Sequence, residues 1–90
     1  RDLKVSILKS LKLAKHEIVL SVYTLSDPDF IKGLNAKAEE EIPTTVITDK
    51  KFAKQLSLSL SPKIKIQLLK QKGLMHHKIF VFDDICYLGS

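Results

Sequence analysis

A chain of 90 residues is enough for one small domain, whose core is only marginally stable by itself. With 44% hydrophobic and 28% charged residues the mix is ordinary for a globular fold, no apolar run approaches the roughly 20 residues of a membrane span, and the single cysteine, Cys86, excludes an internal disulfide. The net charge of +5 favours anionic partners such as nucleic acid, acidic lipid headgroups or phosphorylated small molecules, although a solvated Lys-rich surface has the same composition.

Arg occurs once, at Arg1, which counts against a surface that reads guanine edges. The chain starts on Arg1 and stops at Ser90 directly after a strand-like run, so both ends read as cut from something longer. No signal peptide is visible in what is present.

Leu3, Ile7, Leu8, Leu11 and Ala14 recur at helical spacing with lysines between them, which predicts an amphipathic helix over about residues 2–15. The β-branched run from Ile18 to Tyr23 predicts a buried strand. Ser26-Asp27-Pro28-Asp29 is a helix start, with Ser26 as a cap, Pro28 in the first turn and the acids at the positive end of the dipole. Phe30, Ile31, Leu34 and Ala38 form that helix's apolar stripe, and Glu39-Glu40-Glu41 with Pro43 ends it.

Thr44 to Thr48 predicts a second strand. Lys51 to Leu60 reads as a helix packing Phe52, Leu56 and Leu60, although Leu56, Leu58 and Leu60 also alternate as in a strand. Ile64, Ile66 and Leu68 alternate with Lys65 and Gln67, a half-exposed third strand. Lys70 to Gly73 is a loop. Ile79–Phe82 and Ile85–Leu88 are two further strands joined by a turn at Asp83-Asp84. Helices alternating with strands imply right-handed crossovers, so the expected fold class is α/β with a mixed, largely parallel sheet flanked by helices; the final hairpin is antiparallel. Residues 1–90 form a single domain in this reading.

The chemistry concentrates at Met75-His76-His77-Lys78-Ile79. On a strand, residues two apart share a face, so His76 and Lys78 point the same way, roughly 7 Å apart. A neutral imidazole can attack phosphorus, and an ammonium suits a phosphate oxygen. Taken alone, the pair fits a strand end of no function equally well. His77 faces the other way, which suits a core or interface residue. With no CxxC or HExxH pattern, a zinc site is rejected.

His76, Lys78 and Asp83 follow the spacing H-x-K, four residues, Asp, with Gly89-Ser90 behind them. This pattern resembles the HKD motif of the phospholipase D superfamily. The resemblance extends over Leu3–Lys15, Ile18–Leu25, Asp27–Glu39, Thr44–Thr48 and Met75–Phe82, which match the order of elements in the family's half-domain.

The resemblance implies a phosphodiesterase acting on phospholipid or nucleic acid through a phosphohistidine formed at His76. Lys78 would neutralise the phosphoryl oxygens, and Ser90 would bind phosphate. It implies no metal and no organic cofactor. Asp83 belongs to the catalytic motif, yet lies too far along an extended strand to touch His76, and is assigned a turn-stabilising or interface role. Only one motif copy is present, so the second must come from a homodimer or from another half in the same protein.

One departure bears on activity: five residues, Asp84 to Leu88, separate Asp83 from Gly89, where the family usually has six. A two-residue turn would pair Lys78 with Gly89, whereas a three-residue turn through Ile85, or a bulge, would bring Ser90 opposite Lys78. The latter is expected of an active site. The alternative to an enzyme is a non-catalytic member of the same fold that binds phosphate or polyanions.

Overall fold

The computed structural model describes residues 3–23, 25–69 and 78–89. Helix α1 (Leu3–Leu13) leads into strand β1 (Ile18–Ser21), followed by α2 (Pro28–Glu39), β2 (Thr44–Thr48), α3 (Lys50–Ser59), β3 (Lys65–Leu68), β4 (Lys78–Phe82) and β5 (Ile85–Gly89). The five strands make one sheet in the order β3-β2-β1-β4-β5. β1, β2 and β3 are parallel, and β4 runs antiparallel to both β1 and β5. The expected mixed α/β sheet is therefore the architecture observed.

Alternation along the strands divides the sheet into two unlike faces. Ile18, Leu20, Val22, Val46, Phe80 and Phe82 point to one face and join Ile7, Leu11, Phe30, Leu34, Ala38, Leu56 and Leu60 of the helices in one core. Both parallel crossovers run the same way across the sheet, so right-handedness places α2 and α3 on the same side. Asn35 of α2 bonds across to the end of α3, at the Ser59 carbonyl and the Ser61 N–H. On the other face Ile79 and Leu88 stand exposed.

Local chemistry fixes the element ends. Asp27, one residue later than the expected Ser26, caps α2 by accepting the Asp29 N–H at 2.9 Å, and Pro28 takes the first turn. Asp49 caps α3 in the same way through Lys51. α2 ends where Glu41 turns left-handed at φ 66°. The Ile42 N–H then reaches the Lys37 carbonyl and the Glu41 N–H reaches Ala38, the paired closure of a Schellman end. The ambiguous leucines of α3 resolve as a helix: Leu56 and Leu60 are buried while Leu58 is 83% exposed. Among the described residues no helix is long and apolar enough to cross a membrane.

Candidate active site

Lys78 opens β4, with its backbone opposite Gly89 of β5. It shares the helix-covered face with Phe80 and Phe82 but lies beyond the point where the helices close over the sheet, so it is exposed while both phenylalanines are buried. Its neighbours there are the end of β1, the start of α2 and the first turn of α1. Together these enclose a groove of about 390 Å³ lined by Leu3, Ile7, Val22, Leu25, Phe30 and Phe80, with Lys4, Ser26, Asp27, Gly89 and Lys78. A larger groove of about 540 Å³ between α1 and α2 includes none of the motif residues.

One ion-pair cluster stands at the groove. Lys4 Nζ lies 2.9 Å from Asp27 and 3.4 Å from Asp29. The hydrogen bond with Asp27 raises the Lys4 pKa above its ordinary value, and that bond holds the Asp27 carboxyl below the usual carboxylate range.

Asp83 is at the opposite end of β4 from Lys78, about 17 Å along the strand. Its carboxylate accepts three consecutive backbone N–H groups of the α1–β1 connection: Lys15 at 3.0 Å, His16 at 2.8 Å and Glu17 at 3.0 Å. Its own N–H donates to the Glu17 carbonyl at 2.9 Å. These bonds, led by that from Glu17, hold its pKa below the ordinary carboxylate value. In the described structure Asp83 thus ties the β4–β5 turn to the α1–β1 connection.

That tie goes with a correction to the turn. Phe82 pairs with Ile85, so the hairpin loop is the two residues Asp83-Asp84, not the three-residue turn or bulge expected of an active site. Asp83 adopts φ 58°, a left-handed conformation that Asp tolerates and that its three N–H partners stabilise. Gly89, and not Ser90, is consequently the residue opposite Lys78. The assignments made to His76, His77 and Ser90 lie outside the described residues.

Sequence reasoning did not find a second tie. The Tyr87 hydroxyl lies 2.7 Å from Ser10 Oγ and donates to the Ser6 carbonyl at 3.4 Å, fastening β5 to α1. An inward tyrosine on a strand otherwise apolar on that face was the available signal.

The family model described as "Cardiolipin synthase, PLD-like domain" matches residues 7–90. No curated protein matches the sequence. Among solved structures, NucT from Helicobacter pylori superposes with a TM-score of 0.69 at 20% identity, covering 89% of this chain and 59% of that one. Nuc from Salmonella typhimurium, a phospholipase D family member, superposes with a TM-score of 0.74 at 20% identity, covering 89% of this chain and 57% of that one. The chain thus spans less than two thirds of each of these structures, and the likeness is one of fold. With the family model matching nearly its whole length, the chain belongs to the phospholipase D-like family.

Proposed function

We propose that this chain supplies one half of a phosphodiesterase active site, with His76 as nucleophile and Lys78 as the cation on the phosphoryl oxygens. The observation that carries the reading is the position of Lys78. It is exposed at the mouth of a groove, on the first residue of β4, two residues after His76 in a chain of this family. In the proposed reaction the imidazole nitrogen attacks phosphorus and the bond to the leaving alkoxide breaks. The histidine of a second motif donates the proton that the alkoxide takes up. Water, or another alcohol, then gives its proton back to the second histidine as it attacks phosphorus and breaks the P–N bond, which returns both histidines to their starting states. The Lys78 ammonium donates to the non-bridging oxygens as their charge grows.

The second motif comes from another copy of the chain or from another half of the same protein. The substrate is a phosphodiester of the phospholipid or nucleic-acid type. Asp83 serves by fixing the turn that follows the motif strand, and residues 1–90 act as one domain of the assembly.

One observation favours a second reading. The two-residue turn sets Gly89 opposite Lys78, where a hydroxyl from Ser90 would assist catalysis. A phosphate-binding member without turnover fits that register. Turnover of a chromogenic phosphodiester by an assembly containing both half-sites separates the two. Turnover lost in His76→Asn and reduced at least about tenfold in Lys78→Ala supports the enzyme. Binding without turnover in the unaltered protein supports the second reading.

A further inference from the structure

We propose that the groove between α1 and α2 docks an acidic amphipathic helix of a partner protein, whose apolar side chains enter the groove and whose carboxylates meet Lys9 and Lys12. This surface stands apart from the groove at Lys78, with which it shares no lining residue.

The groove has an apolar floor. Leu8 and Leu11 of α1 line it together with Gly33 and Ala36 of α2. Gly33 lets the two helices approach closely, since a Cβ there would stand 2.7 Å from Leu11 Cδ2. Small residues on one wall and leucines on the other enclose about 540 Å³, open to solvent at the exposed Ala36. Val5, 60% exposed and one turn before Leu8 and Lys9, extends the apolar strip along α1.

The two rims differ in charge. On the α2 side Asp29 is paired with Lys4 and Glu40 with Lys37. Lys37 also donates to the Ala14 carbonyl at 2.8 Å. On the α1 side Lys9 and Lys12, one turn apart, are exposed, and among the described residues no carboxylate lies within ion-pair reach of either. The unmatched charge is thus positive and sits on one rim. A helix that is apolar on one face and acidic along one edge of that face complements both features.

The other polyanions fit less well. The carboxylates of Asp29 and Glu40 would face the phosphates of a nucleic acid or the headgroups of an anionic membrane. A concave floor between two helices also does not reach into a flat bilayer, as the apolar face of a membrane-surface helix does.

The probe is a fluorescently labelled helical peptide of leucine, alanine and glutamate, with leucines at i, i+3/i+4 and i+7 and glutamates along one edge. It is titrated into the full chain and read by anisotropy. Two control peptides are a scrambled sequence of the same composition and the same pattern with lysine for glutamate. The patterned acidic peptide is expected to bind at least about tenfold tighter than either. Lys9→Glu/Lys12→Glu should weaken it at least about fivefold, and so should Ala36→Gln, which keeps the charge and fills the groove. Lys50→Glu/Lys54→Glu makes the same charge change at exposed positions of α3 and should leave affinity within about twofold. Every substituted position is exposed, so the thermal midpoints are expected to stay unchanged.

Absence of binding overturns the proposal. So does a scrambled peptide that binds as well, an Ala36→Gln variant without effect, or equal losses in the α3 variant, each of which reduces the surface to diffuse positive charge. Tighter binding of oligothymidylate or of phosphatidylglycerol vesicles, lost in Lys9→Glu/Lys12→Glu, assigns the lysines to another polyanion and overturns it too. Self-association of the chain that the same pair of changes abolishes gives the groove to a second copy, with the same consequence.

Discussion

The carboxylate of Asp83 accepts the backbone N–H of His16 at 2.8 Å across 67 positions of sequence. It takes the N–H groups of Lys15 and Glu17 at the same time. A motif residue is thereby committed to backbone donors at the far end of its strand from Lys78. Replacing it by Asn leaves one acceptor oxygen and turns an amide NH₂ toward donors. Asp83→Asn and Asp83→Ala are therefore expected to lower the thermal midpoint by several degrees, and the neighbouring Asp84→Ala much less. Equal midpoints for the Asp83 and Asp84 variants, by circular dichroism, would remove the tie from the account of stability.

Acid should loosen the same tie. The Asp83 carboxyl is held below its ordinary pKa by its N–H partners, and Asp27 below its own by Lys4. A depressed folded-state pKa contributes stability that is present above the unfolded pKa and is lost as pH falls through the folded one. Urea midpoints are expected to hold from neutrality to about pH 5 and to decline below about pH 4. Asp83→Asn should show a shallower decline than the unaltered chain, and parallel curves would contradict this.

The bond between Tyr87 and Ser10 is part-buried, and removing one partner strands the other. Tyr87→Phe and Ser10→Ala should each cost about 1 kcal/mol, and the double variant less than their sum. Strict additivity in urea denaturation would mean the two hydroxyls do not interact.

Glu41 stands left-handed at φ 66° to end α2, a conformation that glycine adopts without penalty. Its exposed ion pair with Lys63 is a weak counterweight. Glu41→Gly is expected to stabilise the fold by about 1 kcal/mol, measured as a raised urea midpoint. Glu41→Ala should not, because it keeps the strained backbone and loses the pair.

These ties also mark where the sequence stopped being legible. β1 and β2 follow from β-branched runs whose alternate residues, Ile18 and Leu20 or Thr44, Val46 and Thr48, are buried. The stripe Phe30, Leu34 and Ala38 places α2 equally directly. The helical cap shifted from Ser26 to Asp27 because neighbouring residues of similar capping power compete, and only geometry decides between them.

The turn length was harder to read. Spacing suggested that activity needs a longer loop, but Asp83 is held by N–H groups that every residue except proline carries, so no side chain near position 16 announced the partner. The groove was likewise invisible, since Leu3, Ile7, Leu25 and Phe30 meet only once α1, the β1–α2 connection and β4 are packed together. In the motif itself, the spacing of Lys78 and Asp83 and the distance of Asp83 along the strand were readable, and the structure adds the backbone N–H groups that Asp83 accepts.

The most direct measurement is alkali-quenched trapping with a ³²P-labelled phosphodiester in an assembly that contains both half-sites. Mass mapping should find an acid-labile, base-stable phosphoryl adduct on the peptide carrying His76, weakened in Lys78→Ala and gone in His76→Asn. Turnover with no such adduct, or an adduct that persists in His76→Asn, would contradict the assignment of His76 and Lys78 to one phosphoryl-transfer site.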